Sequence, residues 1–340
     1  MTGKNQSHAS VGQTVRYVLV LIVLGLAVHL LIPQITSIEH SVQVIRQMAL
    51  WAVALAVLAQ AASYLGSGYL LKAIAQLSES TLSLIKATLI VLAAASLGMV
   101  AGGMVGSAAA TYRWMQKERV KPEVAGLAGT IPGGFNDSIL VLVSLVGLIH
   151  LLIVHQLTRL QVLSYFLILL ILGALAGALI WGFRHRPAIT NLAHRIGACW
   201  SRLRHRSYLP EKTDDWLAGL FNAWNLLVKG CWRGPFLGAG LNVAFDMLTL
   251  YFLFIAAGHR VSLGVLLTGY GLPLLLGKMA FMIPGGVGLI ESTMVGLYTG
   301  LSVPAPVTVV VVLAYRILSF WLPLLLGFPL IMVLQKKRDD

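Results

Sequence analysis

The sequence predicts an all-α, polytopic membrane helical bundle: about eight long transmembrane helices plus two short or re-entrant glycine-opened helices, related as an inverted repeat. Three observations predict it. Of 340 residues, 58% are hydrophobic and 11% charged, whereas a soluble domain carries roughly 25% charged residues to face water. Apolar runs of about 20 residues, enough to cross the hydrocarbon core, recur from one end to the other. A shift of 182 positions lays one half of the chain over the other. Residues 1–340 are therefore expected to form a single integral membrane domain, with helices bonded internally because lipid offers the backbone no partner.

The long runs lie at 15–33, 44–70, 82–101, 134–156, 162–183, 235–257, 261–282 and 305–334. The first is followed by Ile32-Pro33-Gln34 with no small-residue cleavage site, so it is expected to stay as a helix. Two glycine-opened segments, Gly102 to Met115 and Gly285 to Gly300, are too short to span. At 1.5 Å per residue the second reaches about 22 Å against a core of about 30 Å. Such segments suit half-helices or re-entrant elements covered by protein or a wet cavity.

Charge sets the orientation. The net charge is +13, and it clusters where the positive-inside rule and anionic headgroups want it, so nucleic acid is not an expected partner. Segment 184–212 holds Arg184, Arg186, Arg195, Arg202, Arg204, Arg206 and Lys212 against Glu211 alone, which places it in the cytoplasm. Lys72, Lys86, Arg113, Lys117, Arg119, Lys121 and the terminal Lys336-Lys337-Arg338 fall on the same side if each short segment counts as a passage. Both termini are then cytoplasmic, in an inner (cytoplasmic) membrane. Within 184–233, Thr213-Asp214-Asp215 can cap an amphipathic helix. Its Trp216, Leu217, Leu220, Phe221 and Trp224 would face the headgroup plane. This helix is either a surface connector or a recruiter of anionic lipid. Cys199 and Cys231 lie in or beside this basic segment, so no disulfide is expected.

The 182-residue shift pairs Gly103 with Gly285, Val105 with Val287, Gly106 with Gly288, Thr111 with Thr293 and Pro122 with Pro304. The two repeat cores are 82–156 and 261–334. The turn from Arg113 to Lys121 carries four basic residues and its counterpart 295–303 none, as expected of copies set upside down; a parallel duplication or coincidence is the alternative. Inverted repeats with broken helices are how many transporters build a midplane site.

Ionisable groups within the apolar segments are the candidate site. An ionisable group at mid-bilayer costs about 2.5–3.5 kcal/mol even on mild scales, so each needs a partner or a wet cavity. The acids are Asp137, Asp246 and Glu291; the bases are Lys278 and Arg316, with Arg113 at the end of the first short segment. Glu291 and Arg316 are close enough in the pattern to meet. They form either a structural ion pair or a pair in which Arg316 grips phosphate and exchanges it with Glu291. Arginine suits phosphate because its planar fork binds bidentately and keeps its charge. Gly285, Gly286 and Gly288 either leave amides open for an anion at a helix N-terminus or simply make a turn. Asp246, with Asn242 one turn earlier, is a proton or cation relay or a hydrogen bond to a neighbouring helix. Lys278 is expected to snorkel to headgroups, and Asn136 and Asp137 to cap a helix after Gly133-Gly134. No metal site or cofactor motif is found: HExxH, Walker A and the nucleophile elbow are missing.

The stretch Ile283-Pro284-Gly285-Gly286-Val287-Gly288-Leu289-Ile290-Glu291, followed by Ala314-Tyr315-Arg316-Ile317-Leu318, resembles the lysylphosphatidylglycerol synthase transmembrane-region family of flippase-like membrane proteins. The resemblance implies movement of lipids or lipid-linked precursors between leaflets, with Gly285, Gly286, Gly288, Glu291 and Arg316 as functional positions. The best-known members add a cytoplasmic aminoacyl-transfer domain. Here a short polar tail follows the last run, so lysine transfer is not expected. Ala109 stands where the repeat would put a second Glu291.

The expected function is a lipid translocator taking an anionic headgroup at Arg316, with membrane lipids as partners. A membrane-embedded transferase using Asp246 or Glu291 as base is the first rival. A non-catalytic scaffold for an envelope-synthesis enzyme is the second.

Overall fold

The computed structural model describes residues 38–78, 80–100, 103–153, 231–279 and 284–336, with scattered positions between 170 and 229. Among the described residues the fold is all helical, without a strand. The elements are α1 (Ile38–Gln47), α2 (Leu50–Ala75), α3 (Leu84–Val100), α4 (Met104–Lys117) and α5 (Pro122–Ile153), then α6 (Arg233–Ala256), α7 (Leu263–Met279) and α8 (Leu289–Gly300). The last run divides into α9 (Ala305–Arg316), a π turn (Ile317–Trp321) and α10 (Leu322–Lys336).

Four helical stretches among the described residues are long and apolar enough to cross a membrane: Leu50–Ser78, Pro122–His150, Arg233–Ala256 and Ala305–Leu334. The apolar helices α3 and α7 are shorter. The expected runs 15–33 and 162–183, the cluster from Arg184 to Lys212 apart from Arg195, and Cys199 lie outside the described residues. Leu58 and Leu65 on α2, Val146 and Ile153 on α5, and Met332 and Val333 on α10 are exposed. Apolar side chains turned outward along whole helices are what a lipid-facing surface requires.

Two boundaries differ from the sequence reading. The run 44–70 breaks at Met48–Ala49, where the Ala49 N–H bonds Ala256 O at the end of α6 (2.9 Å). Helix α5 begins at Pro122 rather than after Gly133-Gly134, and runs unbroken through Pro132 and both glycines. Proline at the first helical position forfeits an amide that has no partner anyway, and buried helices tolerate internal Gly and Pro when neighbours cover the freed groups. Asn136 and Asp137 are consequently mid-helix residues and cap nothing.

Helices α3 and α4 form a hairpin. Gly103 turns the chain at φ 68°, and Lys86 Nζ meets Glu118 Oε2 at 2.8 Å where the two helices begin and end. Helices α7 and α8 form another, in which the Tyr298 hydroxyl donates to Leu266 O at 3.3 Å. Each hairpin therefore returns to the level where it started. Their tips approach each other: a Cβ added to Gly285 would lie 3.4 Å from Met99 Cε.

Long helices frame the hairpins. Helices α2 and α6 run antiparallel, with Leu70 beside Gly238, Gly66 beside Asn242 and Gln60 bonded to Asp246. A Cβ on Gly66 would stand 2.6 Å from Asn242 N, so glycine is what lets these backbones touch. Helix α5 runs antiparallel to α7 (Ser144 by Gly271, Gly147 by Thr268), and α10 runs antiparallel to α3 (Gly327 by Ser96). One apolar core gathers α3, α4 and the start of α5. A second gathers α6, α7, α8 and α9. In the segment expected to be amphipathic, Leu217 and Phe221 are buried while Asp214 and Lys229 are exposed.

Candidate functional site

The chain 285–288 is a turn that only glycine can make at three positions: Gly285, Gly286 and Gly288 have φ of 65°, 61° and 85°. Gly288 then opens α8, and Glu291 in its first turn bends back to accept the Gly288 N–H through Oε2 at 2.7 Å. This is the carboxylate half of a capping box. The other oxygen, Oε1, accepts Arg316 Nε at 2.6 Å. Arg316 Nη2 donates to Gly285 O at 3.0 Å, and its Cζ lies 4.4 Å over the centre of the Phe320 ring. Glu291 and Arg316 are 5% and 4% exposed, so neither charge could persist there without the other.

The sequence-predicted pair is therefore formed, and the glycines contact it. The amide expected to be open for an anion at Gly288 is taken by Glu291. What stays available is on the arginine. A guanidinium carries five N–H donors; Nε and Nη2 each spend one, and the remaining three have no acceptor among the described residues. The π turn begins directly after Arg316 and sets Phe320 against it. Its loosened backbone leaves Leu318 O to accept the Tyr64 hydroxyl.

Asp246 sits in a second polar cluster. Its Oδ1 accepts Gln60 Nε2 (3.0 Å), and its Oδ2 accepts the hydroxyls of Tyr270 (2.8 Å) and Tyr315 (2.7 Å). Donors from α2, α7 and α9 thus converge on one carboxylate of α6. Asn242 does not join it; its amide donates to Ser63 Oγ and O at 2.9 and 3.0 Å. The two clusters are adjacent in sequence through Tyr315 and Arg316.

The remaining candidates lie elsewhere. Lys278 does not snorkel alone but pairs with Asp137 on α5, both about half exposed. Lys278 lies in the last turn of α7, opposite the middle of α5. Arg113 is exposed near the open end of the α3–α4 hairpin and makes no contact with the Arg316 cluster. No group of three or more metal-ligating side chains occurs among the described residues.

The sequence reading missed Gln60, Tyr270 and Phe320. Gln60 was legible as the lone amide of the helix Leu50–Ala75, and Phe320 as the aromatic four residues past Arg316. Tyr270 carried no signal, because a tyrosine in an apolar helix is usually core.

A family profile described as the lysylphosphatidylglycerol synthase TM region matches residues 15–327. A UPF0104 membrane protein of Pyrococcus horikoshii is 35% identical over 94 residues, 27% of each chain. One of Methanothermobacter thermautotrophicus is 33% identical over 87 residues, 26% of each. One of Methanocaldococcus jannaschii is 28% identical over 99 residues, 29% of each. The matched stretch spans between a quarter and a third of the length of these relatives.

Proposed function

The chain belongs to the lysylphosphatidylglycerol synthase TM-region family, and from that premise we propose that it moves an anionic lipid or lipid-linked headgroup across an inner membrane through Arg316. The observation that carries this reading is a buried arginine held from one side, by Glu291 and Gly285, with three N–H groups still to give. Phosphate oxygens are the natural acceptors for that free edge. Arg316 lies eleven residues past Ala305, about 17 Å along its helix and so near the middle of a ~30 Å core.

In this reading Glu291 is not an exchange partner for phosphate. Both its oxygens are engaged, and it acts as the clamp that aims the guanidinium. That engagement also counts against Glu291 as the general base of a transferase. Acyl chains stay in lipid while the headgroup visits Arg316, and the basic segment 184–212 raises the local concentration of anionic lipid.

The helix pattern supports an inverted repeat. Adding 182 to the bounds of α2, α3, α4 and α5 gives 232–257, 266–282, 286–299 and 304–335. Each lies within three residues of α6, α7, α8 and the α9–α10 run respectively. Antiparallel packing of α2 on α6, and of α5 on α7 as α10 on α3, is what a two-fold axis in the membrane plane would produce. On this reading the hairpins are re-entrant from opposite faces and meet at their tips, where Met99 reaches Gly285. A pair that returns and a pair that crosses twice leave the chain on the same side, so the orientation read from charge is unchanged.

The test is movement of a headgroup-labelled anionic phospholipid in vesicles containing purified protein. Arg316→Ala should abolish it at equal incorporation. Movement at the unsubstituted rate would reject the role.

A further inference from the structure

We propose that Asp246 is a proton-binding site whose occupancy loosens the Arg316 loop. Its partners suit a proton better than the obvious rival, a bound metal cation. Three hydrogens, from Gln60 Nε2, Tyr270 and Tyr315, already point at the two carboxylate oxygens. A metal ion would meet the positive ends of those donors. No cation lies within ion-pair distance of Asp246 among the described residues. The hydrogen-bond donors that reach the Asp246 carboxylate all come from uncharged side chains.

The second observation is at Gln60. The residue is 3% exposed, yet its Oε1 is buried with no hydrogen-bond partner while its Nε2 serves Asp246. An amide in that position has two useful orientations. With Asp246 ionised, Nε2 donates to Oδ1 and Oε1 is idle. With a proton from water on Oδ1, the carboxyl O–H donates instead to Oε1 after the amide turns over, and Nε2 becomes idle. Turning the amide trades one hydrogen bond with Asp246 for another and moves Nε2 away from the Tyr64 hydroxyl that it also approaches. Gln60 is thus built to serve both forms of the acid.

Tyr315 connects this site to Arg316. Hydrogen bonds to a charged acceptor are about twice as strong as neutral ones, so neutralising Asp246 weakens its hold on the Tyr270 and Tyr315 hydroxyls. Tyr315 is the penultimate residue of α9, followed by Arg316 and then the π turn. Groups facing Asp246 are Gln60 and Tyr64 from α2, Tyr270 from α7, and Tyr315 and Arg316 from α9; α5 adds no charged neighbour among the described residues. The proton site stands on its own geometry. Its effect on Arg316 rests on the functional reading above.

Two measurements separate them. Infrared difference spectra of the lipid-embedded protein between alkaline and acid pH should show a protonated-carboxyl band that Asp246→Asn removes. Asp246→Glu should keep a band with a displaced titration, which guards against loss through misfolding of the first variant. For the link, a single cysteine at Val287 in a chain with Cys199→Ser and Cys231→Ser reports on the loop through its alkylation by a maleimide. Because the thiolate is the nucleophile, the alkylation rate is divided at each pH by that of a small free thiol; this ratio should change by about 5-fold or more, and Tyr315→Phe should flatten that change while the infrared band persists. Absence of a titrating band that depends on Asp246, or a normalised alkylation rate indifferent to pH with Tyr315 present, overturns the proposal. Neither measurement uses lipid movement, so its failure is distinct from failure of the transport reading.

Discussion

Glu291 holds Arg316 Nε with one carboxylate oxygen at 2.6 Å and the Gly288 amide with the other at 2.7 Å. One side chain thereby fixes the angle of the guanidinium and the start of the helix that follows the glycine turn. The pair is buried, so its loss is asymmetric. Glu291→Ala leaves an unpaired buried cation and should destabilise by about 3–5 kcal/mol. Removing both charges should cost less than the sum of the single losses. Thermal unfolding of the four proteins in lipid nanodiscs measures the cycle; strict additivity would show that the two groups do not interact.

The glycine turn predicts a divided response. Gly285→Ala forces a φ of 65° on a residue with a Cβ and drives that atom to 2.3 Å from the Phe320 ring. Left-handed backbone alone costs about 1–2 kcal/mol, and the ring must move as well. At Gly103, also at φ 68°, nothing lies within reach of a Cβ. Gly103 pairs that φ with ψ −132°, a region that residues with a Cβ avoid, so both substitutions should lower the melting temperature, and only Gly285→Ala should slow headgroup movement.

Lys278 and Asp137 pair near the middle of α5 and at the end of α7. Lys278→Ala leaves the half-exposed Asp137 without its partner and should cost on the order of 1 kcal/mol. The exchanged pair, Lys278→Asp with Asp137→Lys, should recover most of that stability. Unfolding that is equally impaired in the exchanged protein would show that the contact is not what matters.

The hairpins predict a labelling pattern. Cysteines at Lys86 and Glu118 should react with a membrane-impermeant maleimide from the cytoplasmic face, and both from that face. Cysteines at Leu263 and Gly300 should react from the other. Opposite sidedness within either pair would mean that the helices cross rather than return.

Composition and run length were sufficient to read the helical membrane class, because lipid imposes one rule on every segment. The Glu291–Arg316 pair was legible for a related reason: a charge inside an apolar run must find its opposite, and few opposites are on offer. Helix ends were harder. Proline and glycine stop helices in water, yet Pro132, Gly133 and Gly134 lie inside α5. Ligands made from uncharged residues were harder still. Gln60 and Tyr270 meet Asp246 across 186 and 24 positions, and nothing local distinguishes a tyrosine that serves a carboxylate from one that fills space.

The π turn after Arg316 makes the last helix a matter of angle as much as of length. Its wider loop fits an additional residue between Arg316 and Leu322 without advancing the chain by the usual rise. Everything downstream is rotated, which is how Gly327 comes to rest on Ser96. A one-residue deletion among 317–321 would leave hydropathy nearly untouched and the span long enough, yet would swing α10 off its groove on α3. At this point residue count is a form of information that no substitution can carry.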